Sequence, residues 1–220
     1  MSKRRAVDVA CAAAVLAIVS RLGNAQDAGP PATIPANDPR LSGYETYLKM
    51  QANSPFRNTL WQWIGPTTSG GRVTDIAVAA RRGMNRDIYL GTASGGVWKT
   101  SNEGISWTAV FEHAASTTIG DVTVAPSNPD IVWVGTGEAN IFRSGAAGTG
   151  VYKSTDAGQT WQQMGLSRTY TIGRIVISPR NPDIVYVAAS GAEWSVNEDR
   201  GVFKTTDGGQ TWQKVLYVNP

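Results

Sequence analysis

Cysteine and histidine are almost missing from this chain: its 220 residues hold one of each, Cys11 and His113. Without a second cysteine no disulfide can form within the chain, so stability must come from packing and hydrogen bonding. One Cys and one His give a zinc ion too few ligands, and no cluster of oxygen ligands is spaced for calcium. No metal or other cofactor is therefore expected. A long apolar run is lacking too. Ala10–Ser20 is apolar but falls short of the ~20 residues that span a bilayer.

The first 25 residues read as an export signal: basic Lys3, Arg4 and Arg5, the apolar run, then Gly23-Asn24-Ala25 as a small-residue cleavage site. A retained anchor is the alternative. Removing this segment takes away four of the 20 basic residues and one of the 17 acidic ones, which leaves 16 of each. A formally neutral mature chain has no charge excess to attract nucleic acid or an anionic membrane. The expected location is outside the cytoplasm, periplasmic or secreted.

What the chain does have is a repeat. Lys153–Trp161 reads K-S-T-D-A-G-Q-T-W, Lys204–Trp212 reads K-T-T-D-G-G-Q-T-W, and Lys99–Trp107 reads K-T-S-N-E-G-I-S-W. The copies are 54 and 51 residues apart, and each follows a Gly-Val-aromatic triplet. Self-similarity at this period indicates a repeat architecture, in which each unit buries its core against its neighbours.

Residues 26–55 are expected to be a linker followed by a short helical arm, with Tyr44, Tyr47, Leu48 and Ala52 giving Leu41–Ala52 a helical rhythm. From residue 56 to 220 the pattern changes to short β-type runs. The second copy has four: Ile119–Ala125, Ile131–Gly137, Gly150–Ser154 and Thr160–Met164. Copies one and three repeat this order. The turns between the first two runs are expected at Asn128-Pro129-Asp130 and Asn181-Pro182-Asp183. Four antiparallel strands per repeat predict an all-β chain folded as propeller blades, with about three blades present. Leu60–Ile64 matches the last strand of a blade but precedes the first copy, so it is expected to close the ring. Rings need four or more blades, so the chain reads as the N-terminal part of a longer protein.

Each repeated motif is expected to form the hairpin between strands three and four. Asp156 would accept the N–H groups of its own turn, Ser154 and Thr160 supply hydroxyls, Gly158 allows positive φ, and Trp161 buries its ring. Thr205, Asp207, Gly209, Thr211 and Trp212 repeat the set. Thr100, Asn102, Gly104, Ser106 and Trp107 form the first copy. A carboxylate satisfied in this way holds a turn and does no catalysis.

The motif S-x-D-x-G-x-T-W resembles the Asp-box, or bacterial-neuraminidase repeat, over residues 60–217. That repeat occurs in sialidases, xyloglucan-cleaving propellers and sortilin-type receptor domains. Phrases such as Trp63-Ile64-Gly65-Pro66 and Gly135-Thr136-Gly137-Glu138-Ala139-Asn140 are similar to exported bacterial proteins described as sortilin-like or glycosyl-hydrolase-like. The resemblance implies a propeller; fold does not fix function.

By strand parity, the loops after strands two and four share the face opposite the hairpins. Glu138–Thr149 and Ala189–Arg200 are the long ones. Candidate contact residues there are Glu138, Asn140, Arg143, Glu193, Trp194, Asn197 and Asp199. Trp194 suits sugar stacking or peptide docking, with a role as the hydrophobic plug of its own loop as the alternative. Gly71-Arg72, Gly120-Asp121 and Gly173-Arg174 are expected at equivalent inner positions. There Arg72 and Arg174 would either grip an anion or be bridged by Asp121, holding blades together.

Glycosidases need two carboxylic groups flanking the bond. Xyloglucan-type propellers carry an Asp after a Thr in their first blade, whereas here Thr92 is followed by Ala93-Ser94-Gly95-Gly96. The Arg-Ile-Pro phrase of sialidases is absent as well. No catalytic residue is assigned. The expectation is a recognition module for an extracytoplasmic protein, peptide or carbohydrate, with a glycoside hydrolase whose carboxylates lie in further blades as the alternative.

Overall fold

A computed structural model of the chain describes residues 38–59, 71–80, 86–140 and 145–217. The expected signal segment, the ring-closing strand at Leu60–Ile64 and Arg143 lie outside the described residues.

Among the described residues twelve strands form three four-stranded antiparallel sheets, each ordered along the chain. The first blade holds β1 (Val73–Ala79), β2 (Asp87–Thr92), β3 (Val97–Thr100) and β4 (Thr108–Ala109). The second holds β5 (Ile119–Ala125), β6 (Asn128–Thr136), β7 (Val151–Ser154) and β8 (Gln162–Gln163). The third holds β9 (Ile172–Ile177), β10 (Val185–Ala189), β11 (Gly201–Thr205) and β12 (Gln213–Leu216). This is a partial β-propeller of three blades. Val, Ile and aromatic residues dominate the long strands because a pleated, half-buried surface accommodates branched side chains.

β6 starts earlier than the sequence pattern suggests. Ala125 pairs with Asn128, so the reversal falls at Pro126-Ser127 and Asn128-Pro129-Asp130 opens the strand. In the third blade the turn stays at Asn181–Asp183. Both sites still share one local bond, the Asn Oδ1 accepting the N–H of Asp130 or Asp183 at 3.0 Å.

Helix α1 spans Pro39–Ala52, two residues longer at its start than the apolar rhythm implies. Asp38 caps it by accepting the Arg40 N–H at 2.9 Å, and Pro39 supplies a preset φ for the first turn. None of its residues is buried; it is tied down by single side chains. Arg40 donates to Gly148 O at 2.5 Å and to Ser167 O, and the Tyr44 hydroxyl donates to His113 O.

The core lies in the two seams between blades. Ala77, Tyr89, Val97 and Phe111 of the first blade meet Ile119, Val122, Val132, Val134 and Tyr152 of the second. Trp133, Val151, Met164 and Leu166 meet Ile172, Ile175, Val187, Phe203 and Trp212 of the third. Period-two alternation sends one face of each strand to each seam, so the second blade is apolar on both faces.

Polar contacts lace both seams in the same way. The hairpin Trp donates its indole N–H back to the preceding blade, Trp161 to Val110 O at 2.7 Å and Trp212 to Met164 O at 2.6 Å. The β3 or β7 lysine donates forward to the next hairpin turn, Lys99 to Ala157 O at 2.9 Å and Lys153 to Gly208 O at 3.2 Å. An inner-strand carboxylate accepts from the next inner strand: Asp75 from Val122 N at 3.2 Å, Asp121 from Ile175 N at 3.0 Å.

That register corrects one expectation. Asp75 lies opposite Gly91, Asp121 opposite Gly135 and Arg174 opposite Ala188, so Asp75 is the equivalent of Asp121 and Arg174. Arg72 lies three residues earlier. Aligning Gly-Arg with Gly-Asp dipeptides misleads because the first blade carries Thr74 where the others carry Gly120 and Gly173, and its own Gly71-Arg72 falls before β1.

Candidate functional site

Each hairpin turn is closed by its own side chains. Ser154 Oγ donates to Asp156 Oδ1 at 2.7 Å and accepts Gly158 N–H at 2.8 Å. Asp156 also accepts the amides of Gln159 and Thr160 and the Thr160 hydroxyl. Burial pulls the Asp156 carboxyl up, but these donors outweigh it and hold it at about 2. Thr205, Asp207, Gly209 and Thr211 repeat the geometry, and the Thr211 hydroxyl leads the donors that push Asp207 well below the ordinary carboxylate range. In the first blade Thr100 Oγ1 donates to Asn102 Oδ1, and Gly104 N–H donates to that hydroxyl at 3.0 Å. Trp161 is half-buried, Trp212 fully buried, and Trp107 remains exposed. With no free oxygen to offer, these carboxylates are structural.

Arg72 and Glu138 form a bidentate pair, Nε to Oε1 at 2.7 Å and a terminal guanidinium nitrogen to Oε2 at 2.6 Å. Glu138 is buried, and the pair joins the first blade to the loop that follows β6 in the second. Glu138 is therefore not an exposed ligand contact, as its place in a long loop suggested. Gly137 explains the burial. It sits at φ +88, and a Cβ there would lie 2.0 Å from the Tyr170 carbonyl, so only glycine lets the chain turn inward at this point.

Asp121 is buried as well, between Arg174 at 3.2 Å, the Thr123 hydroxyl at 2.8 Å and the Ile175 amide. Arg174 also reaches Asp75 at 3.6 Å. Asp121 thus bridges to one arginine, Arg174. Arg72 is bound to Glu138, so the two arginines do not act together on one ligand.

The long loops do meet. A cleft of about 260 Å³ opens where the β6–β7, β8–β9 and β10–β11 connections converge. Its lining includes Gly145–Ala147 from the first, Tyr170 and Thr171 from the second, and Ala192–Ser195 from the third. Glu193 and Trp194 are the two sequence candidates found there. Trp194 is 82% exposed, so it is not the plug of its loop. That loop is held instead by polar bonds: Asn197 Nδ2 to Ala192 O at 3.2 Å and to Ser195 O at 3.0 Å, and Arg200 Nε to Ser190 O at 2.7 Å. Asp199 pairs with Arg168 at 3.5 Å, and Asn140 is exposed away from the cleft lining.

No motif marks Tyr170 in the sequence; strand parity alone puts its connection, after the fourth strand, on this face. It is held at φ +58, ψ −42, an uncommon conformation for a non-glycine residue. Its carbonyl accepts Gly148 N–H at 2.7 Å, and the Arg40 guanidinium lies 4.7 Å over its ring. The arm before the blades therefore braces one wall of the cleft. Among the described residues no group of three or more His, Cys, Asp or Glu could hold a metal, and no helix is long and apolar enough to cross a membrane.

No protein-family model matches the chain, and no curated protein matches it. Solved structures do. The chain is similar to an ancestral GH74 enzyme at 24% identity and a TM-score of 0.54, covering 73% of this chain and 20% of that one. It also matches the GH74 xyloglucanase from Xanthomonas campestris (22% identity, TM-score 0.46, 65% of this chain and 20% of that one). A third match is YCF48 bound to D1 peptide, at 17% identity and a TM-score of 0.44, covering 64% of this chain and 40% of that one. At these identities the likeness establishes the propeller fold alone, and the chain spans about a fifth of the length of the two GH74 enzymes.

Proposed function

We propose that this chain is an exported Asp-box-type propeller module that recognises a peptide or glycan at the cleft between its second and third blades. One observation carries the reading: Trp194, a solvent-exposed ring on a loop held by its own hydrogen bonds, lines one cleft together with Tyr170 and several small residues. Exposed aromatic rings on a pre-ordered scaffold lose little conformational entropy on binding. A volume just under the ~300 Å³ typical of small-molecule pockets suits one sugar ring or one side chain of a longer ligand. Glu193 supplies a carboxylate to hydrogen-bond sugar hydroxyls or peptide amides.

The test is a glycan and peptide array probed with the wild-type chain and with Trp194→Ala. A set of ligands retained by the wild type and lost by the variant is the expected result. Silence across the array, or equal binding by the variant, counts against the cleft. Fractionation of the host cells, with the mature N-terminus sequenced, checks export.

A further inference from the structure

Helix α1 is tied to the blades through Arg40 and through the Tyr44 hydroxyl, yet none of its residues is buried. Beneath it lies a second cavity, about 450 Å³, between the helix and the rim of the seam that joins the first and second blades. Both blades of that seam belong to the described chain, so the cavity does not depend on what adjoins the outer blades. Leu41, Tyr44 and Glu45, spaced i, i+3 and i+4 on one helix face, form its roof. Phe111, Tyr152 and Trp161 line it from the blades. Phe111 meets each of the other two rings edge to face, with centroids 5.1 Å apart and planes at 89° and 88°. Four aromatic rings therefore border one space.

What these walls offer a ligand follows from which polar atoms are already engaged. The Tyr44 hydroxyl donates to His113 O, the Trp161 indole N–H donates to Val110 O at 2.7 Å, and the Tyr152 hydroxyl bonds Thr149 Oγ1 at 2.8 Å. The Gln163 amide is closed on Thr149 O, Gly165 O and the Gly165 N–H, and the Thr160 hydroxyl donates to Asp156. The rings thus present carbon and π faces to the cavity. Glu45 differs: its carboxylate has no hydrogen-bond or ion-pair partner among the described residues. A sugar, which needs several hydrogen-bond partners, finds few here. An organic cation finds aromatic faces and an unpaired carboxylate together.

We propose that this cavity binds a quaternary ammonium compound, its head among Tyr44, Phe111, Tyr152 and Trp161 and its charge balanced by Glu45. The site is separate from the Trp194 cleft. The ring quadrupoles attract the cation, and the attraction grows where water is displaced. The volume falls within the ~300–1,000 Å³ range of small-molecule pockets, which leaves room for the rest of such a molecule.

Calorimetric titration of the full 220-residue chain with choline and with benzyltrimethylammonium tests this. Neohexyl alcohol, in which carbon replaces the choline nitrogen, is the uncharged control. Both cations should bind, and the alcohol should not. Glu45→Gln should weaken choline about fivefold. Tyr44→Leu should weaken it by a similar factor of about five, whereas Tyr44→Phe, which keeps the ring, should bind as the wild type does. Helix α1 buries no residue, so unchanged melting profiles confirm that the variants fold. Phosphatidylcholine vesicles, co-sedimented with the wild type and with Glu45→Gln, distinguish the source: retention lost in the variant assigns a lipid headgroup, and no retention assigns a free molecule. Absence of saturable binding by either cation, equal binding of the alcohol, an affinity untouched by Glu45→Gln, or binding removed by Trp194→Ala would each overturn the proposal.

Discussion

Lys99 reaches from the first blade to the second and donates its ammonium to the carbonyl of Ala157 at 2.9 Å. The same nitrogen pairs with Asp87 at 3.1 Å, and the Tyr89 hydroxyl shares the carbonyl at 3.0 Å. One carbonyl in a hairpin turn thus collects two donors from the neighbouring blade, which fixes the angle between sheets as well as their contact. Lys99→Met keeps the apolar stem but removes both charged contacts, one of them to the mostly buried Asp87. It should destabilise the chain by about 2 kcal/mol, read as a lower urea midpoint with an unchanged slope.

Asp156 organises its turn through an amide pair and two hydroxyls. Asp156→Ala leaves those donors without their acceptor and should cost on the order of 1–3 kcal/mol. Asp156→Asn keeps one acceptor oxygen and should recover part of that loss. An unchanged thermal midpoint in the alanine variant would remove the hairpin assignment.

Arg72 holds Glu138 in the interior through two bonds of 2.7 and 2.6 Å. Arg72→Ala strands a buried carboxylate and should cost about 3–5 kcal/mol. Glu138→Gln in the Arg72→Ala background should restore a large part, because a neutral amide is cheaper to bury. Chemical denaturation of both variants measures the difference. Equal stability of the single and double variants would show that Glu138 does not depend on this partner.

Acid and base act on this fold in opposite directions. Burial pushes the Asp121 carboxyl up to about 6 from 3.8; the Thr123 hydroxyl opposes it, the nearby Asp75 charge adds to it, and Arg174 and the Ile175 amide oppose it. A folded-state value above the unfolded one means the native chain binds the proton more tightly. That contribution is complete below about pH 4 and is lost as pH rises to about 6. Asp156, held at about 2, behaves conversely: its contribution is present above about pH 4 and is lost as pH falls to about 2. The thermal midpoint should therefore peak near pH 4, fall towards pH 6, and lose that fall in Asp121→Asn. A midpoint that climbs steadily from pH 4 to 6 in the wild type would contradict the Asp121 environment.

The repeat, the four strands of each blade and the hairpin locks follow from short-range chemistry. Ser154, Asp156, Gly158 and Thr160 lie within seven residues, so spacing alone fixes which groups can bond. Strand order followed from the same cause, since antiparallel neighbours joined by short turns leave few arrangements. The cleft is partly legible: parity puts Glu193 and Trp194 on the loop face, while Tyr170 lies in a short connection that carries no such signal.

The amino-acid sequence determined the blade as a unit; the tertiary structure decided what each polar residue in the gaps between blades would meet. Glu138 in a Gly-rich loop has the local chemistry of an exposed contact, and only the packing of Gly137 against Tyr170 turns it inward to Arg72. The inner row likewise depends on strand register, which places Asp75 rather than Arg72 beside Asp121. Contacts between residues more than forty positions apart are set by how sheets stack, and stacking depends on side-chain volume across a whole face, which no short motif records.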